Sequence, residues 1–124
     1  MKVTQYSEGC GALISDIQLA DLSVTQLADL RTIFAKHGLL FFRDQDFSPQ
    51  DHLQFAQRFG SIVVNKFFRA IEQFPEIAEV RKEKEQQTNI GGGWHTDHSY
   101  DDIPAMGSIL VARKLPTTGG DTQF

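Results

Sequence analysis

The stretch from Ser23 to Phe42 constrains the fold most tightly. Ser23 stands where a helix N-cap would, and Gln26 follows three residues later in the capping-box position. Leu27, Leu30, Ile33 and Phe34 then recur at helical spacing, so one face of the helix is apolar. Lys36 and His37 fall in the last turn beside the free carbonyls, and Gly38 ends the helix. Leu39-Leu40-Phe41-Phe42 follows at once. An apolar run without polar alternation predicts a strand covered on both faces. A helix feeding directly into such a strand calls for a mixed α and β architecture.

The flanking segments extend that pattern. Ala12-Leu13-Ile14, after Gly9 and Gly11, predicts an earlier strand. Ser48-Pro49 supplies an N-cap and a first helical residue for a second helix, with Leu53, Ala56 and Phe59 as its apolar stripe and Gly60 as its stop. His52 falls on the polar side and is expected to be solvated. Ile62 to Val64 is β-prone, Asn65 to Phe74 reads as loop, and Ile77 to Arg81 predicts a strand. Lys82 to Asn89 is a charged, exposed turn. Met106 to Arg113 predicts a strand, with Ile109 and Val111 on one face and Leu110 and Ala112 on the other. After the turn Leu115 to Gly120, a new extended segment begins at Asp121 and the chain stops at Phe124, as if cut partway. No repeat or linker divides the chain, so residues 1–124 are expected to form one domain.

Composition narrows the function classes. Apolar residues make up 40% of the chain and ten are phenylalanines, enough to build a core. The formal net charge is −4 and no basic stripe is visible, which argues against a nucleic-acid partner. The single cysteine, Cys10, has no internal partner and fits a reducing compartment. Met1 to Cys10 is polar and lacks the apolar core of a signal peptide. No apolar run is longer than that of Leu39 to Phe42, which is far too short to span a bilayer. A cytoplasmic protein is expected.

The chemistry concentrates at Gly91-Gly92-Gly93-Trp94-His95-Thr96-Asp97. In an extended segment, His95 and Asp97 point to the same side and can grip one metal ion. Two histidines and one carboxylate on one face of iron(II) form the ligand set of non-heme iron oxygenases, and this pair would supply two of the three. The glycines let the backbone take unusual shapes or approach a ligand closely, although glycine-rich loops are often merely flexible. Trp94 is expected to pack against the sheet, and Asp101 and Asp102 to form a solvated turn. His98 opens a rival reading, because His95, Asp97 and His98 together resemble part of a metallo-hydrolase zinc site. Such sites want more histidines close by, and the other two of the four, His37 and His52, lie on helical segments.

Several spaced motifs resemble the taurine dioxygenase family of iron(II)- and 2-oxoglutarate-dependent oxygenases. They are Gly93 to Asp97, Pro104, Met106 to Leu110, Leu115-Pro116 and Gly119 to Thr122, preceded by Gly38 to Arg43, Ser48-Pro49 and Phe59-Gly60. The likeness runs from Gly11 to Phe124. It implies an α+β fold built on a double-stranded β-helix, or jelly roll, with flanking helices, incomplete in this chain. It implies that His95 and Asp97 are the first two iron ligands and that Thr122 hydrogen-bonds the 2-oxoglutarate carboxylate. The family's third ligand, a histidine, and its 2-oxoglutarate-binding arginine lie further downstream than Phe124. By an ungapped count from Phe59-Gly60, Asn65 and Phe68 stand where taurine enzymes carry a substrate-binding histidine and tyrosine, and Gly91 stands where they carry an asparagine. Three replaced contacts argue against taurine as the substrate.

The implied activity couples decarboxylation of 2-oxoglutarate to hydroxylation of a small organic substrate, with Fe(II) as cofactor. The implied partners are that substrate and molecular oxygen, with no nucleic acid and no membrane, and with a homo-oligomer allowed. Two other readings remain open at this point: a non-catalytic truncated paralogue acting as a binding or assembly module, and a zinc hydrolase.

Overall fold

The structure, a computed structural model, describes residues 1–124. Its centre is a three-stranded sheet of β1 (Lys2–Gln5), β2 (Ala12–Ser15) and β3 (Leu40–Phe42), with β2 in the middle. β1 runs antiparallel to β2, and β3 runs parallel to it, with Ala12 opposite Leu40 and Ile14 opposite Phe42. Parallel neighbours need a long crossover. Here the return path is a 3-10 turn (Leu19–Asp21) and α1 (Val24–His37). The crossover closes tightly, because the Gly11 and Ala12 amides donate to the His37 and Leu39 carbonyls, each at 2.9 Å. Gly11 has φ of 90°, and a Cβ there would meet the Phe41 ring at 3.3 Å.

Both helices begin and end as their local chemistry dictates. The Ser23 hydroxyl accepts the Gln26 amide at 3.1 Å, and the Gln26 side chain accepts the Ser23 amide at 2.9 Å. Gly38 closes α1 in the left-handed region, with φ of 70°. α2 (Pro49–Phe59) starts on a second capping box between Ser48 and Asp51. Hydrogen bonds from the Ser48 hydroxyl and amide hold the Asp51 carboxyl below the ordinary carboxylate range.

The core is a single cluster of Ala12, Ile14, Leu19, Leu22, Leu30, Phe47 and Phe55. Leu30 is its fully buried contribution from α1. On α2 the buried residue is Phe55, while Leu53, Ala56 and Phe59 are half-buried. Phe59 of the predicted stripe packs on the core as expected, but the stripe omitted its most buried member, Phe55. The true packing line runs from Phe47 edge-on to Phe55 and on to Phe59, with ring centroids 5.9 and 5.0 Å apart. Side chains tie the layers together. Gln45 accepts from the Leu19 amide at 2.9 Å and donates to the Ile17 carbonyl at 3.0 Å. Arg58 donates to the Leu22 carbonyl at 2.8 Å, joining the end of α2 to the start of α1.

The second half departs from the sequence expectation in three places. Residues 65–74 are not all loop: β4 (Ala70–Ile71) and β5 (Phe74–Ala78) form a hairpin, so the predicted strand lies earlier than Ile77 to Arg81. Ile62 to Val64 forms no strand. Met106 to Arg113 joins no sheet, because no strand lies beside it to exchange backbone hydrogen bonds. Its inner residues Ile109 and Val111 do pack on the core, as their alternation required. Side chains hold its middle and its C-terminal end instead: His52 Nε2 donates to the Ile109 carbonyl at 3.1 Å, and Arg113 donates to the Phe47 carbonyl at 2.6 Å. His52 is thus half-buried and engaged, not solvated, and burial lowers its pKa. No helix is long and apolar enough to cross a membrane.

Candidate metal centre

The glycine run delivers the two proposed ligands. Gly91 has φ of 68°, a conformation that favours glycine, and a Cβ there would stand 3.2 Å from His95 Cε1. The bare backbone at Gly91 therefore makes room for the imidazole. His95 Nδ1 lies 2.8 Å from the Gly93 carbonyl. A carbonyl can only accept, so Nδ1 carries a proton, and Nε2 is the nitrogen left to meet an ion. This is the arrangement that orients a metal-binding histidine.

His95 Nε2 faces Asp97 Oδ1 at 3.3 Å. Two donors about 2.1 Å from a small octahedral ion, at right angles, stand about 3 Å apart. The pair thus fits two adjacent coordination positions. Both side chains are open to solvent, at 57% and 63% exposure, so they are accessible to an ion. Thr96, between them, turns elsewhere and pairs with the Ser99 hydroxyl at 2.7 Å. The other carboxylate oxygen, Asp97 Oδ2, accepts from the Ser108 hydroxyl at 3.3 Å.

His98 does not join them. Its backbone is left-handed, with φ of 54°, and its Nδ1 pairs with Asp101 Oδ2 at 2.9 Å. Asp101 is therefore a half-buried partner of His98 and not a freely solvated turn residue. No group of three or more His, Cys, Asp or Glu side chains is placed to hold a metal ion. The zinc reading requires His95, Asp97 and His98 to converge, and His98 turns instead to Asp101. Trp94 is 81% exposed and does not pack against the sheet as expected. It belongs to the ligand segment, which no strand or helix covers.

The remaining candidate positions are spread more widely. The Thr122 side chain is exposed and makes no hydrogen bond to His95 or Asp97. Asn65 accepts from the Phe67 amide at 2.8 Å in a local turn. Phe68 is half-buried, while its neighbour Phe67 reaches Tyr100 edge-on at 6.2 Å. Tyr100 in turn lies 5.8 Å from the His98 ring. The loop bearing Asn65 and Phe68 is thereby brought against the segment that follows Asp97. Sequence reasoning singled out neither Tyr100 nor Ser108, and only the Met106 to Leu110 motif drew any attention to Ser108.

Known proteins that this chain resembles are named as alpha-ketoglutarate-dependent dioxygenases. The chain belongs to the taurine catabolism dioxygenase TauD, TfdA family, whose model matches residues 2–124. The cofactors of this family are Fe(II) and 2-oxoglutarate. An (S)-phenoxypropionate/alpha-ketoglutarate-dioxygenase of Sphingobium herbicidovorans is 29% identical over 92% of the chain. An alpha-ketoglutarate-dependent sulfonate dioxygenase of Saccharomyces cerevisiae is 30% identical over the whole chain. The chain spans 41% and 33% of the lengths of these two relatives. A crystal structure from Burkholderia xenovorans, described as a candidate alpha-ketoglutarate-dependent taurine dioxygenase, superposes on 79% of this chain and 36% of its own, with a TM-score of 0.66 and 30% identity.

Proposed function

We propose that this chain supplies the first two iron ligands, His95 and Asp97, of an Fe(II)/2-oxoglutarate-dependent dioxygenase that hydroxylates a small organic substrate. The observation that carries the reading is the His95 Nε2 to Asp97 Oδ1 approach of 3.3 Å, with Nδ1 pinned to the Gly93 carbonyl. When bound, Fe(II) and 2-oxoglutarate would let molecular oxygen act as the oxidant, one oxygen atom going to the substrate as a hydroxyl and the other to succinate as 2-oxoglutarate loses carbon dioxide. The chain's own residues hold and orient. His95 offers its Nε2, Asp97 offers one carboxylate oxygen and half the compensating charge, and Gly91 keeps the space beside the imidazole clear. Thr122 is assigned to the 2-oxoglutarate carboxylate, to which its hydroxyl would donate. Asn65, Phe68 and Gly91 are assigned to the substrate side.

The relatives named above act on phenoxypropionate and sulfonates, both organic acids. We infer an organic acid here too, and not taurine, because Asn65, Phe68 and Gly91 do not reproduce the taurine contacts. The fold reading goes with it: the sheet and helices would flank a jelly roll, in which the core-facing segment Met106 to Arg113 would serve as a strand once a neighbouring strand paired with it. A cytoplasmic enzyme, using molecular oxygen and binding neither nucleic acid nor membrane, completes the reading. Cys10, an exposed free thiol, suits a reducing compartment.

The test is a titration with Mn(II), a redox-stable substitute for Fe(II), followed by paramagnetic broadening of NMR resonances. Broadening should centre on His95 and Asp97, be weak because only two protein ligands contribute, and vanish in His95→Ala and Asp97→Ala. Broadening spread without preference over the acidic surface would sink the assignment. The shortage of donors favours a second reading, a non-catalytic binding module. That reading predicts no site-centred broadening at all.

A further inference from the structure

We propose that Ser108 is a positioning residue that makes Asp97 a one-oxygen ligand. The inference rests on reading Asp97 as a metal ligand. The two carboxylate oxygens have different surroundings. Oδ1 faces His95 Nε2 at 3.3 Å, whereas Oδ2 accepts the Ser108 hydroxyl, also at 3.3 Å. A hydroxyl on Oδ2 competes with an ion for that oxygen and leaves Oδ1 as the donor turned toward the imidazole. Chelation through both oxygens would spend a coordination position that the cosubstrate needs. An O–H···O contact of this length is at the weak end, and Ser108 is exposed, so the contact steers the carboxylate more than it stabilises the fold.

Steering requires that Ser108 itself be held, and no sheet holds it. Its neighbours are held from both sides. Gly107 sits so close to α1 that a Cβ there would meet the Phe34 ring at 3.3 Å. The Ile109 carbonyl accepts from His52 on α2 at 3.1 Å, and Ile109 packs on the core. Ser108 is therefore presented between one residue anchored on α1 and another anchored on α2. Through it, the packing of the two helices reaches Asp97, eleven residues back in the chain.

Mn(II) titration of this chain and its Ser108→Ala, Ser108→Thr and Asp97→Ala variants tests the proposal. Loss of a residue that orients a metal ligand lowers affinity by about ten- to a hundredfold, and Ser108→Ala should fall in that range. Ser108→Thr keeps the hydroxyl and should keep most of the affinity, which loss of a merely structural residue would not predict. With Co(II), the visible spectrum of Ser108→Ala should also change, because Oδ2 becomes free to bind. Ser108→Ala binding Mn(II) as tightly as the wild type, with an unchanged Co(II) spectrum, overturns the role of Ser108 while leaving the metal site intact. If the wild type binds no better than Asp97→Ala, the metal reading itself fails, and this inference falls with it.

Discussion

A methyl group at residue 91 would be caught between a left-handed backbone, with φ of 68°, and the His95 ring 3.2 Å away. Gly91→Ala should therefore cost about 1–2 kcal/mol from the backbone alone. It should also tilt the imidazole and weaken Mn(II) binding beyond that loss, as thermal unfolding and a metal titration on the same sample would show. His52 answers to pH. Burial is the largest cause of its lowered pKa, and the nearby Arg113 charge acts in the same direction, against a hydrogen bond to Ile109 that raises it. Above the ordinary histidine value of 6.5, folded and unfolded chains both hold it neutral. As pH falls through 6.5 the unfolded chain takes up the proton first, so stability drops until the folded His52 also protonates. Unfolding midpoints should decrease between about pH 7 and pH 5, and His52→Gln should flatten that slope. An unchanged slope would show that His52 does not contribute to it. The engagement of His52 was illegible in the sequence, because what buries it lies 57 residues away at Ile109. The His95 and Asp97 approach was legible, because a two-residue spacing on one segment needs no distant partner.

The helices show the same division between local and distant causes. Ser23, Gln26 and Gly38 bound α1, and Ser48, Pro49 and Gly60 bound α2, through contacts within a few residues. Ser23→Ala and Ser48→Ala should each cost about 1 kcal/mol in chemical denaturation. Leu30→Ala, which empties the fully buried centre of α1, should cost about 2–5 kcal/mol. A cap loss as large as the Leu30 loss would mean that the caps do more than finish the helix ends. Strands need partners that local sequence does not name. β1 was hidden because all four of its residues are exposed and carry no apolar alternation. The β4–β5 hairpin turns on Glu72-Gln73, which lack the glycine or asparagine that marks most two-residue turns. Met106 to Arg113 has the alternation of a strand and the core contacts of one, but its backbone has no neighbour to bind.

Across the molecule, surface is in excess. A folded protein of 13.9 kDa is expected to expose roughly 6,700 Å². This chain exposes 10,028 Å² and buries eight of its 124 residues. The excess is marked after the glycine run, where Trp94, Ile103, Leu110, Leu115 and Phe124 are all exposed, Ile103 to 86%. Exposed apolar side chains in such number seek a cover. The isolated chain should therefore self-associate. Size-exclusion elution should move earlier with concentration, and a hydrophobic dye should light up on the native state. A monomer that elutes unchanged across a wide concentration range would contradict this expectation. The same uncovered region is what a jelly roll would enclose, which links this expectation to the proposed fold.

Trp94 turns this openness to practical use. It is the chain's one indole, it immediately precedes His95, and solvent reaches most of it. Its emission should lie at the red end of the tryptophan range and dim whenever a paramagnetic ion settles beside the imidazole. On the metal reading proposed above, the indole would gauge site occupancy without a label, and silent ions such as Zn(II) should displace the quencher and restore the light.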